Sequence, residues 1–359
     1  MPSETRVSRS IMCALPGPDI DTSTERALSD LSPMGVCLFG RNLKGPAQVR
    51  DLISGIREIC AEPVLISVDQ EGGRVNRLAG FEPIFERLPD GRSQARWSAD
   101  QLGEVWRSVG HCLAALGFDV DFAPVVDLDD GPGLNAIGPR SYGTDPRAVS
   151  TAAKSVLEGL AEAGIAGCLK HFPGLGGTHL DTHRAPACSR QSLARLREEH
   201  TEPFRRLAAT APLIMTAHAH YPAVDGETPG SFSEILLRGW LREEIGYDGL
   251  IISDDLEMKA VAKERSPGRS ALDTLRAGAD LALFCGDLDA PRRARDDLSA
   301  AVDSGDLDPA VLHAGQRRLA KVLVAYPGGR ENADRPGNEA REAYERALRS
   351  LATLLDPIE

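Results

Sequence analysis

Four short apolar runs in this chain close on groups that can carry charge. VLISVD ends at Asp69, GCLKHF carries Lys170 and His171, LIMTAH ends at His218, and GLIISD ends at Asp254. A charge buried among apolar side chains must be paired or it shifts its pKa and destabilises the fold, so a polar pocket shared by all four runs would satisfy them together. Adjacent residues of a strand point to opposite sides. Of the neighbouring carboxylates Asp254 and Asp255 in IISDDL, one is therefore expected to face such a pocket, and alternation does not say which.

The stretch KHFPGLGGTHLDTH adds His179, Asp181 and His183 at alternate positions downstream of His171. Imidazole and carboxylate are common zinc ligands, but these lie in a glycine-rich stretch without HExxH spacing, and neither metal nor other cofactor is expected. A carboxylate two residues from an imidazole can hold it in one tautomer and raise its basicity, which suits proton transfer near neutral pH. Gly174, Gly176 and Gly177 give the backbone freedom to carry that pair over a bound substrate.

Eight runs must position these groups: SIMCAL, GVCLF, VLISVD, VDFAPVVDL, GCLKHF, LIMTAH, GLIISD and LALFCG. Segments with helical spacing or Gly/Pro-rich loops separate them. Arg147–Ala163 runs to Gly164, and Ser270–Ala277 to Gly278, glycine being a good helix-terminating residue. Eight strands alternating with helices predict a single (β/α)8 TIM-like barrel, whose chemistry collects at the carboxyl ends of the strands. Asp308–Tyr326 reads as a helix, and PGGRENADRPGN as a polar break. Ala340, Ala343, Ala347, Leu351 and Leu355 recur at helical spacing beyond it. We therefore expect a barrel over residues 1–330 and, over 331–359, a linker and a C-terminal helix packed on the barrel.

With 41 basic and 53 acidic residues the net charge is −12, and no Lys/Arg cluster suggests a nucleic-acid surface. No apolar run approaches a membrane span or a signal-peptide core, which points to a cytoplasmic protein without membrane attachment. The seven cysteines are scattered without a CxxC pair, so they are expected to be reduced. The partner expected is a small molecule, with the chain a monomer or weak homodimer.

Taken in order, GVCLFGRNL, SVDQEGGRVNRL, DFAPVVDL, GPRSYGTDP, KHFPGLGGTHLDTH, MTAHAHYPAVD and GLIISDDLEM resemble the glycoside hydrolase family 3 β-N-acetylglucosaminidases of the bacterial cell-wall recycling type, the NagZ-like group. The resemblance runs from about Ile11 to about Tyr326. It implies a (β/α)8 barrel and retaining hydrolysis, with the first aspartate of the S-D-D-L segment, Asp254, as nucleophile. His183, oriented by Asp181, is implied as general acid/base, and Asp69, Arg77, Arg140, Lys170 and His171 as sugar-binding residues. The implied substrate carries a terminal β-linked N-acetylglucosamine, naturally on a peptidoglycan (muropeptide) fragment. An imidazole acid/base would not repel such an anionic fragment as a second carboxylate would.

One position departs from the pattern KHFPGHG of many members: Leu175 replaces the second histidine. His179 has no assigned counterpart. Three rival readings stand beside this one. A family 3 β-glucosidase usually needs a second domain for which the chain has no room. A β-N-acetylglucosaminide phosphorylase would use phosphate as acceptor in place of water. A catalytically silent muropeptide-binding barrel would have no use for Asp254, Asp181 and His183 together.

Overall fold

The computed structural model describes residues 7–60, 63–129, 137–178, 187–263, 265–333 and 335–356. Eight parallel strands close into a barrel: β1 (Ile11–Ala14), β2 (Gly35–Leu38), β3 (Leu65–Val68), β6 (Val120–Asp121), β7 (Ala166–Phe172), β8 (Leu213–Thr216), β9 (Leu250–Asp255) and β10 (Leu281–Phe284). Around the barrel the order is β1-β10-β9-β8-β7-β6-β3-β2. Between β3 and β6 the chain makes a small antiparallel pair, β4 (Gln70–Gly72) and β5 (Val75–Asn76). The eight-run pattern therefore closes as predicted.

Alternation along the strands builds two apolar layers. Met12, Cys37, Leu65, Val120, Cys168, Met215, Leu250, Ile252, Leu281 and Leu283 pack together as the barrel's filling. Their neighbours Ile11, Cys13, Val36, Ile66, Leu169, Ile214, Ile251 and Phe284 belong to the larger cluster formed with the surrounding helices. Apart from the short β6, whose second residue is the buried Asp121, the strands are apolar on both faces until their carboxyl ends, as parallel strands covered by helices require.

The run VDFAPVVDL forms far less strand than its composition suggests. Regular pairing stops at Asp121, and only an isolated bridge from Val125 to Lys170 continues it. Pro124 lies between them and has no N–H to give to a ladder. Strand β8 also ends early, at Thr216, so His218 sits beyond it.

The helix expected at Arg147–Ala163 runs Pro146–Glu162, started by the Asp145 carboxylate accepting the Ala148 N–H. The helix expected at Ser270–Ala277 runs Pro267–Ala277 and stops at Gly278, whose φ of 119° suits glycine. The stretch read as a polar break holds a short helix, Gly328–Ala333. Beyond it, helix Gly337–Leu355 buries Ala340, Tyr344, Ala347 and Leu351 and packs on helix Ala99–Leu116.

Two carboxylates tie helices Pro46–Ile59, Ile235–Glu244, Pro309–Ala325 and Gly328–Ala333 to the amino-terminal end of the barrel. Asp119 accepts from Ile66 N at 2.9 Å, Arg57 at 2.9 Å and Arg330 at 3.2 Å. Asp280 does the same for Ile251 N at 2.9 Å, Arg242 at 2.5 Å and Arg318 at 2.8 Å. Among the described residues no helix is long and apolar enough to cross a membrane.

Candidate active site

The strands end in chemistry because their inward phase continues past the apolar filling. On β3, Leu65 and Ser67 are followed inward by Asp69; on β7, Ala166 and Cys168 by Lys170; on β9, Leu250 and Ile252 by Asp254. Phe39 after β2 and Cys285 after β10 pack on the same filling. Together they floor a cleft of about 530 Å³ at the carboxyl ends of the strands, where Asp69, Arg77, Arg140, Lys170, His171 and Asp254 all meet.

Lys170 is 2% exposed and lies 2.7 Å from Asp69 and 2.6 Å from Glu71. Arg140 forks onto Glu71, Nε to Oε2 and Nη2 to Oε1, at 2.7 Å each. Burial alone would raise the Glu71 carboxyl, but the Arg140 guanidinium and the Lys170 ammonium hold it well below the usual carboxylate range. Burial likewise works against the Lys170 charge, and Asp69 and Glu71 overcome it, so its pKa rises. Arg77 stands 3.7 Å from Asp69. Its guanidinium lies 5.7 Å from the Phe39 ring centre, and that of Arg41 lies 4.9 Å away, so two cations share one aromatic ring.

His171 joins Lys170 at the cleft where the register of β7 against β8 shifts between Lys170 and Phe172. Its Nδ1 is 2.7 Å from Asp127 Oδ2.

Asp254 and Asp255 both line the cleft, which corrects the expectation that only one would. They differ in their bonds. Asp255 Oδ1 accepts from Glu257 N and Cys285 N, each at 3.0 Å, whereas Asp254 Oδ1 accepts from Asp255 N at 2.8 Å. Burial, helped by the neighbouring Asp254 charge and opposed by those backbone N–H groups, raises the Asp255 pKa to about 6.

His218 does not line the cleft. Burial lowers its pKa, so the ring is neutral. Its Nε2 donates to the Asp255 carbonyl at 2.9 Å, and its Nδ1 lies 2.7 Å from Ser231 Oγ. It steadies the backbone of the paired aspartates in place of meeting a ligand.

Asp181, His183 and His179 lie outside the described residues. Leu175 is 2% exposed, a core residue, and its N–H donates to Asp127 Oδ1 at 2.7 Å. Reading the sequence missed Glu71, Asp127, Phe39 and Arg41. For Asp127 the signal was present: VVD is another apolar run closing on a carboxylate, the pattern that drew notice to Asp69 and Asp254.

Residues 10–322 match the glycosyl hydrolase family 3 N-terminal domain. The chain is 39% identical over 283 residues to the β-hexosaminidase of Thiobacillus denitrificans, across 77% of each protein. It is 36% identical over 321 residues to that of Idiomarina loihiensis, across 88% of this chain and 92% of that one. A solved glycoside hydrolase family 3 β-N-acetylglucosaminidase from Paenibacillus sp. str. FPU-7 superposes with a TM-score of 0.86 at 32% identity, over 97% of this chain and 68% of the other.

Proposed function

Since the chain belongs to glycosyl hydrolase family 3 through its N-terminal domain, we propose that it is a retaining β-N-acetylglucosaminidase that removes terminal β-linked N-acetylglucosamine, naturally from peptidoglycan fragments. The observation that carries the reading is the convergence of Asp254 with Asp69, Arg77, Arg140, Lys170 and His171 in one cleft at the strand ends.

In this reading the sugar lies among groups whose polarity suits its hydroxyls. Asp69 accepts from hydroxyls, while Lys170 and Arg77 donate to them and keep their charge at neutral pH. Asp254 attacks the anomeric carbon and forms a covalent glycosyl-enzyme. His183, oriented by Asp181, protonates the departing oxygen and then takes a proton from the incoming water. The aspartate pair supports this division of labour, because Asp255 is already engaged by two backbone N–H groups. Arg41 and Arg74 also line the cleft, which favours an anionic leaving group of the kind a wall fragment supplies.

The test is release of the aryl group from an aryl N-acetyl-β-glucosaminide beside the matching β-glucoside, each with and without phosphate. Free N-acetylglucosamine from the first, with the glucoside a poor substrate, is expected. Sugar 1-phosphate appearing only with phosphate would make it a phosphorylase, and binding without turnover a silent sugar-binding barrel.

A further inference from the structure

We propose that Asp127 is a positioning residue that fixes the hydrogen-bonding polarity of His171 toward the sugar, an inference that rests on the glycosidase reading above. Asp127 is 1% exposed and follows the apolar pair Val125–Val126. Its carboxylate is surrounded by donors. His171 N lies 3.2 Å from each oxygen, Leu175 N lies 2.7 Å from Oδ1, and His171 Nδ1 lies 2.7 Å from Oδ2. Its backbone carbonyl accepts the Ser141 hydroxyl at 2.7 Å, one residue from Arg140. One residue thus ties together the end of β7, the stretch that leaves it and the segment bearing Arg140.

A carboxylate only accepts hydrogen bonds, so of the two neutral tautomers of His171, Asp127 selects the one with its proton on Nδ1. Nε2 then keeps a lone pair, and it is the nitrogen left to meet a ligand in the cleft. Among the other charged groups there, Arg41, Arg74, Arg77, Arg140 and Lys170 only donate, and a carboxylate such as Glu71, held ionised by its cations, only accepts. An imidazole can do either, and Asp127 decides which. With Nε2 as an acceptor, His171 takes a hydrogen bond from a sugar hydroxyl, which frees that hydroxyl oxygen to accept from a neighbouring cation.

Asp127→Asn reverses the arrangement while keeping shape. The amide oxygen must still serve the His171 and Leu175 N–H groups, so the amide NH2 turns to His171 Nδ1 and drives the ring proton to Nε2. Nitrogen-15 spectra of the ligand-free protein, with His171 assigned by its loss in His171→Gln, read the tautomer directly. The wild type is expected in the Nδ1–H form and Asp127→Asn in the Nε2–H form. The variant's KM, and its dissociation constant for N-acetylglucosamine by calorimetry, should rise about 10- to 100-fold, by analogy with the partners that orient metal-ligating histidines, with a smaller change in kcat. An Nε2–H wild type overturns the proposal whether or not the variant folds. So does a variant that switches tautomer with unchanged KM, or one that loses kcat alone with its tautomer intact, as a merely structural role predicts. Because the tautomer is read without substrate, an inactive wild type would count against the glycosidase reading and leave this test standing.

Discussion

Arg140 forks onto Glu71, with both donor–acceptor distances 2.7 Å and both side chains nearly enclosed. A second cation, Lys170, shares the same carboxylate. The pair lines the cleft in the manner of a strut: Glu71 offsets the charge of Arg140 and Lys170 and sets the positions of these two donors.

Glu71→Gln is expected to destabilise the protein by about 3–5 kcal/mol, because it leaves buried cations short of a counter-charge. Urea unfolding at pH 7 measures this. The folded Glu71 carboxyl sits below its usual range, so its contribution is complete above the unfolded value, about 4.3, and fades as pH falls through the folded one. Variant and wild type should therefore converge in stability at strongly acidic pH, and a gap that stays constant would refute the charge argument.

Asp254→Ala should abolish nearly all turnover, whereas His183→Ala should depend on the leaving group. With poorly departing alcohols the loss should reach about 10²–10⁴-fold, the usual contribution of general acid catalysis. With aryl groups of low pKa much less should be lost. The slope of log kcat/KM against leaving-group pKa measures it, and equal losses across the series would remove His183 from the acid role.

Asp255 gives a pH dependence of opposite sign to Glu71. Folded, it holds its proton up to about pH 6; unfolded, it releases it near pH ~3.9. The folded state binds more protons in that window, so the stability due to this group is full below it and is lost as pH rises through about 6. Asparagine cannot ionise yet can still accept from the Glu257 and Cys285 N–H groups. The Tm of Asp255→Asn relative to wild type should therefore climb between about pH 4 and 7, and a flat difference by scanning calorimetry would contradict the assignment.

Gly72→Ala tests the turn that aims Glu71 and Arg77. Gly72 has φ 92°, and a Cβ there would press on the Pro89 carbonyl and come within 2.9 Å of Gln94 Nε2. Backbone strain alone should cost about 1–3 kcal/mol, with KM rising more than kcat falls. A variant with wild-type stability and KM would show that this turn does not hold the cleft.

The amino-acid sequence by itself determined the architecture and the end of the barrel at which polar groups gather. Eight β-branched runs separated by helical spacing admit little besides a closed parallel barrel, and runs closing on Asp69, Lys170 and Asp254 mark the end where polar groups gather. Only the tertiary structure decided the phase. When strands are apolar on both faces, the 2-residue alternation is present but carries no label for inside. Leu250 and Ile251 look alike until one joins the barrel filling and the other the helix layer. That choice turns Asp254 inward and engages Asp255 with backbone N–H groups. The same holds for Glu71 and Asp127, whose partners Arg140 and His171 are 69 and 44 residues away. Separations of that length become hydrogen bonds only when the barrel closes.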